Sequence, residues 1–99
     1  MIEYSGILFD WDDAKEIANK KKHGISFEEA MTAFVDEHAR IYNDEEHSDN
    51  EERFVLIGHS EKERLLMVCH CYRESETITR IISARKATRH ERDKYEYGG

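Results

Sequence analysis

The chain contains no proline, five glycines and two cysteines in 99 residues. Without proline there is no Pro-rich linker, and no repeat or composition shift divides the chain. It reads as one domain, 1–99. Two cysteines cannot form a disulfide framework. Cys69 and Cys71 flank His70; on a strand their side chains point to one face and cannot bridge without distortion. They read as reduced core residues in a reducing compartment. A Cys-His-Cys metal site would need a different spacing and a second ligand pair, so neither a metal nor another cofactor is expected. Long apolar runs are also missing. No basic region leads into an apolar stretch at the N-terminus, which argues against a signal peptide and against a membrane span. The expected location is the cytoplasm.

Charge is plentiful but uneven. The net charge is −7, with 38% hydrophobic and 37% charged residues. Residues 1–50 carry 5 basic and 13 acidic residues, and residues 51–99 carry 10 and 9. Bulk charge therefore disfavours non-specific nucleic-acid binding, and any phosphate contact has to be local and in the second half. From Arg80 to Lys94 there are six basic residues against two acids. Such a patch in an acidic chain points to a site that meets phosphate or another acidic partner.

The pattern predicts α+β. Ile7-Leu8-Phe9 reads as a strand. Asp12 or Asp13 then caps a helix over 14–22, and Gly24 stops it in a left-handed cap. Ser26-Phe27-Glu28-Glu29 is a capping-box pattern, with Glu29 reaching back. Phe27, Ala30, Met31 and Phe34 follow helical spacing. Strands follow over 39–42, 54–58, 65–72 and 77–83, with an acidic loop holding His47 over 44–52. Thr88-Arg89-His90-Glu91 is a second capping box that opens a last helix. The expected order is β-α-α-β-β-β-β-α, an antiparallel meander with helices on one face.

If Ser60 pairs with Glu63, Arg53 faces His70 and His59 faces Arg64. One face then carries Arg53, His70, Arg64 and His59, and Phe54, Leu56, Leu65, Met67 and Cys69 form the core face. The next hairpin has two readings. One puts Thr79 opposite His70, the other Arg80. A one-residue slip exchanges the faces, and the linear pattern leaves both open. Arg89 and Arg92 read as salt-bridged to Asp93 and Glu96. Trp11 reads as core, and Tyr95 as packing for the last helix.

Several segments together resemble the BrnT ribonuclease toxins of type II toxin–antitoxin modules. They are Phe9-Asp10-Trp11-Asp12 with Lys15 and Asn19, and Lys22-His23-Gly24-Ile25-Ser26-Phe27-Glu28-Glu29-Ala30. Glu51-Glu52-Arg53-Phe54-Val55-Leu56-Ile57-Gly58 and Arg80-Ile81-Ile82-Ser83-Ala84-Arg85-Lys86-Ala87-Thr88 complete the set, in the same order. The resemblance implies a RelE-like fold and metal-independent mRNA cleavage that inhibits translation. It also implies neutralisation by a small DNA-binding antitoxin, a BrnA-like ribbon-helix-helix protein, with a heterotetramer as the candidate assembly. DNA would be reached only through that antitoxin.

Metal-free RNA cleavage needs a base for the 2′-hydroxyl, cations for the phosphorane charge and an acid for the leaving oxygen. Arg53, with Arg80 or Arg85, suits the second task through the planar guanidinium fork. His70 is the acid–base candidate, and Glu52 a weaker base. Lys15 and Lys22, on one helix, and Arg64 are candidates for holding RNA phosphates. The competing class is a catalytically inactive interaction module acting as co-repressor with its antitoxin, which the acidic balance favours. A helix-turn-helix over 12–34 is disfavoured by its acidic helices.

Overall fold

The structure is a computed structural model that describes residues 1–47 and 51–98. Strands β1 (Ile2–Tyr4) and β2 (Ile7–Asp10) lead into helices α1 (Asp13–His23) and α2 (Phe27–Thr32), followed by a 3-10 turn, Ala33–Val35. Strands β3 (Arg40–Asn43), β4 (Phe54–His59), β5 (Leu65–Arg73) and β6 (Ile78–Lys86) precede helix α3 (Arg89–Tyr97). The acidic loop expected over 44–52 is described only in part: a 3-10 turn, Glu45–His47, precedes residues outside the described set.

The α+β class stands, and two features of the expected meander are corrected. First, a strand precedes Ile7. Ser5 and Gly6 have φ of 52° and 82°, a tight turn that folds β1 back on β2. Second, the six-stranded sheet is mixed, with order β1-β2-β6-β5-β4-β3. Strand β2 runs parallel to β6, because α1 and α2 return the chain across one face before the meander begins.

The helix boundaries follow local chemistry. The Asp12 carboxylate accepts from the Lys15 N–H, and Gly24 takes φ 72° as the left-handed stop. Ser26 caps α2 by accepting from the Glu29 N–H. Glu29 does not reach back as a capping box would. Its carboxylate accepts from Ser60 and Arg64 on the far side of the core.

The core lies between one sheet face and α1/α2. Phe9, Phe27, Ala30, Leu56, Leu66, Val68, Ile81 and Ala84 are buried there. Each of the larger side chains removed from water contributes about 1.5–3 kcal/mol. Strand β6 meets β2 only through Ile78–Arg80, so its backbone edge is open beyond that point. Buried Asn19 closes it. Its amide donates to the carbonyls of Ile25 and Ala84, both at 2.9 Å, and accepts from the Ala84 N–H at 3.0 Å. Helix α3 lies on the opposite face, so the expectation of helices on one face is corrected. Arg85, which alternates with core residue Ala84, reaches α3 at Glu91.

Candidate functional site

The face beneath α3 carries four arginines, Arg40, Arg53, Arg80 and Arg85. Register places Arg40, Ile57, Met67 and Arg85 in one row across β3, β4, β5 and β6. Tyr42, Val55, Cys69 and Ser83 form the next row. Cys71 and Arg80 follow, with Asp10 beside Arg80 on β2. Arg53 sits one residue before β4, on the same side as Val55 by strand alternation. Its charge acts on the Cys69 thiol, which burial pushes up.

The expected register of the β4–β5 hairpin is off by one. Phe54, not Arg53, faces His70, and Val55 faces Cys69. The cause is the loop. Ser60 bonds to Arg64, and Glu63 takes a left-handed φ of 59°, so three residues turn the chain where two were expected. That one-residue change sorts the four polar residues grouped above. Arg53 and His59 stay on the α3 face, and His70 and Arg64 move to the α1/α2 face.

His70 is fully buried among Phe34, Phe54 and Tyr72. Burial pushes its pKa down to about 4, against a weaker upward pull from the Val68 carbonyl. It is a neutral packing residue at pH 7, hydrogen-bonded to Tyr72. Arg64 is held by the Glu29 carboxylate, through Nε at 2.9 Å and through a second bond from its terminal nitrogen. That pairing holds the Glu29 carboxyl below its ordinary value.

For the β5–β6 hairpin neither open reading holds. Cys71 faces Arg80 and His70 faces Ile81, whereas Cys69 faces Ser83. Ile82 is the extra residue of a β-bulge. The bulge brings Arg80 and Arg85 to one side. Both are ion-paired: Arg80 to Asp10 at 2.9 Å, and Arg85 to both oxygens of Glu91 at 2.8 Å. Glu52 is exposed and accepts from Asn43 at 2.9 Å. Lys15 and Lys22 line a shallow groove with Asn19, His23, Ile82 and Ser83.

The linear pattern missed a cluster where α3 crosses the sheet. The Tyr95 hydroxyl donates to Asp36 at 2.6 Å and lies 3.1 Å from His59 Nδ1. The His59 N–H donates to the same Asp36 oxygen at 2.8 Å. Burial alone would raise the Asp36 carboxyl. Hydrogen bonds from His59, Tyr95 and His38 outweigh it and hold the carboxyl below its ordinary value. Burial first, then Asp36, push the Tyr95 hydroxyl up to about 12. Gly58 makes the cluster possible: a Cβ there would stand 2.8 Å from the Ala33 carbonyl oxygen, so the turn that carries Asp36 closes on β4. No spacing rule links residues 36, 59 and 95. Only the Ser-turn-strand context of His59 hinted that it ended a hairpin. Among the described residues, no group of three or more His, Cys, Asp or Glu is placed to hold a metal.

The family model of BrnT, the ribonuclease toxin of type II toxin–antitoxin systems, matches residues 11–91. The chain belongs to the BrnT family. Its fold is similar to the crystal structure of the ribonuclease toxin BrnT from Brucella abortus, with a TM-score of 0.63 at 20% identity. That likeness covers 84% of this chain and 99% of the Brucella chain. No curated protein matches the sequence. As a BrnT ribonuclease toxin it implies an antitoxin partner. The matched span holds Asp36, Arg40, Arg53, His59, Arg80, Arg85 and Glu91, while Tyr95 lies beyond it. No helix among the described residues is long and apolar enough to cross a membrane.

Proposed function

We propose that this BrnT chain cleaves mRNA without a metal ion, on the sheet face under α3, and so inhibits translation. The observation that carries the reading is the bulge at Ile82, which puts Arg80 on the same side of the sheet as Arg85, the side that Arg53 shares through the alternation of β4. Guanidinium groups are paired forks for non-bridging phosphate oxygens, so the three would hold successive phosphates of the RNA along the face. RNA phosphate would exchange with Asp10 and Glu91 for Arg80 and Arg85. Lys15 and Lys22, in the groove beside Ile82, would take flanking phosphates, and Glu52 borders the Arg53 end. A BrnA-like ribbon-helix-helix antitoxin would neutralise the toxin, in a heterotetramer that meets DNA through the antitoxin alone. The RelE-like character of the fold belongs to the same reading.

The test is a defined RNA incubated with purified protein in excess EDTA, alone and with ribosomes. Cleavage that persists in EDTA and drops at least 100-fold in Arg53→Ala/Arg80→Ala supports the proposal. Cleavage abolished by EDTA, or unaffected by the double substitution, overturns it.

A second reading has one specific observation in its favour: Arg80 and Arg85 already have acidic partners. On that reading the chain is an inactive interaction module that co-represses with its antitoxin. Intact RNA under every condition above would favour it.

A further inference from the structure

We propose that His59 is the general base of this ribonuclease site, that Tyr95 and Asp36 position it, and that Arg40 contacts the reacting phosphate. The proposal rests on the RNA-cleavage reading above and names the acid–base group that His70 cannot supply.

The argument begins with proton counting. Asp36, held ionised, only accepts hydrogen bonds. The single Tyr95 hydroxyl proton goes to it, at 2.6 Å. Tyr95 can therefore only accept from His59, so Nδ1 carries the imidazole proton across the 3.1 Å contact. The lone pair is left on Nε2. His59 is 40% exposed and Asp36 11%, so the ring is open to a substrate while its positioning group is screened. This order of buried carboxylate, relay and exposed imidazole fixes both tautomer and ring orientation.

Arg40 supplies the charge. It faces Ile57 on β4, two residues from His59 on the same side. Diagonal neighbours of this kind lie about 7–8 Å apart, within reach of a long side chain. The Arg40 Nε is buried and has no hydrogen-bond partner among the described residues. The charge of Arg40 also bears on the Tyr95 hydroxyl, so the guanidinium stands beside the relay. Among the described residues, Asp36 ahead of β3 and Tyr95 on α3 meet His59 directly, and Arg40 on β3 acts on Tyr95.

The reaction balances as follows. Nε2 takes the proton of the RNA 2′-hydroxyl, and the 2′-oxygen forms a bond to phosphorus. The bond from phosphorus to the 5′-oxygen breaks, and that oxygen takes a proton from solvent. The imidazolium returns its proton to solvent. The products are a 2′,3′-cyclic phosphate and a 5′-hydroxyl.

The experiment uses the full chain and a short labelled RNA, with nitrogen NMR of the histidine rings. His59→Gln is expected to lower kcat by about 100- to 10,000-fold, the usual span for a lost general base. KM should stay within about threefold, since a base adds little to ground-state binding. Free imidazole should restore part of the rate in His59→Ala. The neutral His59 ring should show the proton on Nδ1, and Tyr95→Phe should abolish that preference and lower kcat without a matching change in KM. A parent that cuts RNA together with an equally fast His59→Gln overturns the assignment and leaves the ribonuclease reading standing. An inert parent overturns both. If His59→Gln fails to fold, the NMR of the parent decides: a proton on Nε2 overturns the proposal.

Discussion

Arg80 and Arg85 lie five residues apart on β6 and still face the same side of the sheet. A regular strand would send them to opposite faces, because side chains alternate. The bulge at Ile82 absorbs one residue between them. The place of Arg80 beside Arg85 on the α3 face depends on that single insertion.

The salt dependence of RNA binding checks the face. Each phosphate contact on a single strand contributes about 0.7 to the slope of log K against log salt. Arg53→Gln and Arg80→Gln should each lower the slope by about 0.7, with little change in sequence preference. Unchanged slopes in filter-binding or anisotropy titrations would remove both residues from the RNA path.

Glu91 has two tasks. It closes the capping box of α3 with Thr88, and it holds both terminal nitrogens of Arg85. Glu91→Ala should cost about 1–2 kcal/mol of stability through the lost cap and ion pair. It should also tighten RNA binding, because Arg85 is released to phosphate. Weaker binding in a variant that melts as a folded protein would show that Arg85 does not meet RNA.

The Glu29–Arg64 pair spans the core, with the Glu29 side chain 2% exposed. Arg64→Ala leaves that carboxylate buried without its cation, and should cost about 2–3 kcal/mol in urea unfolding. The folded Glu29 carboxyl sits below its ordinary value of 4.5. Its contribution is therefore present above that value and is lost as pH falls through the folded one. In Arg64→Ala this acid-side loss should shrink. An unchanged acid profile would mean that the pair is not what stabilises the ionised form.

His70 gives the clearest pH signature. Unfolded, it titrates at its ordinary value of 6.5; folded, burial brings it down to about 4. Between those values the unfolded chain binds the extra proton, so stability rises with pH. The contribution is complete above 6.5 and falls away as pH drops towards 4, by about 3 kcal/mol in all. His70→Leu should remove this component, seen as the difference between the two stability curves. Parallel curves across that window would contradict a buried neutral His70.

Local structure was largely legible from the chain. Asp12, Gly24, Ser26 and Thr88 stand at the expected helix ends, because a cap is a bargain between residues three or four apart and needs no distant partner. The apolar runs around Leu56, Val68 and Ile81 marked the strands of the core. The segments around Phe9, Gly24, Arg53 and Arg85 carried the family resemblance, which the match over residues 11–91 bears out.

Which side chains meet was another matter. Glu63 in a left-handed turn and the bulge at Ile82 each moved a register by one residue, and each such step exchanges the two faces of a strand. Neither residue type announces these conformations. So His70, paired with Arg53 on paper, went into the core, while His59 met Tyr95 and Asp36 under α3. The sequence by itself determined where elements begin and end, the fold class and the family, because those signals are short-range. Only the tertiary structure decided which arginines share a face, which histidine is buried and which is exposed. Those outcomes depend on loop conformations and on contacts between residues 36, 59 and 95 that no local pattern encodes.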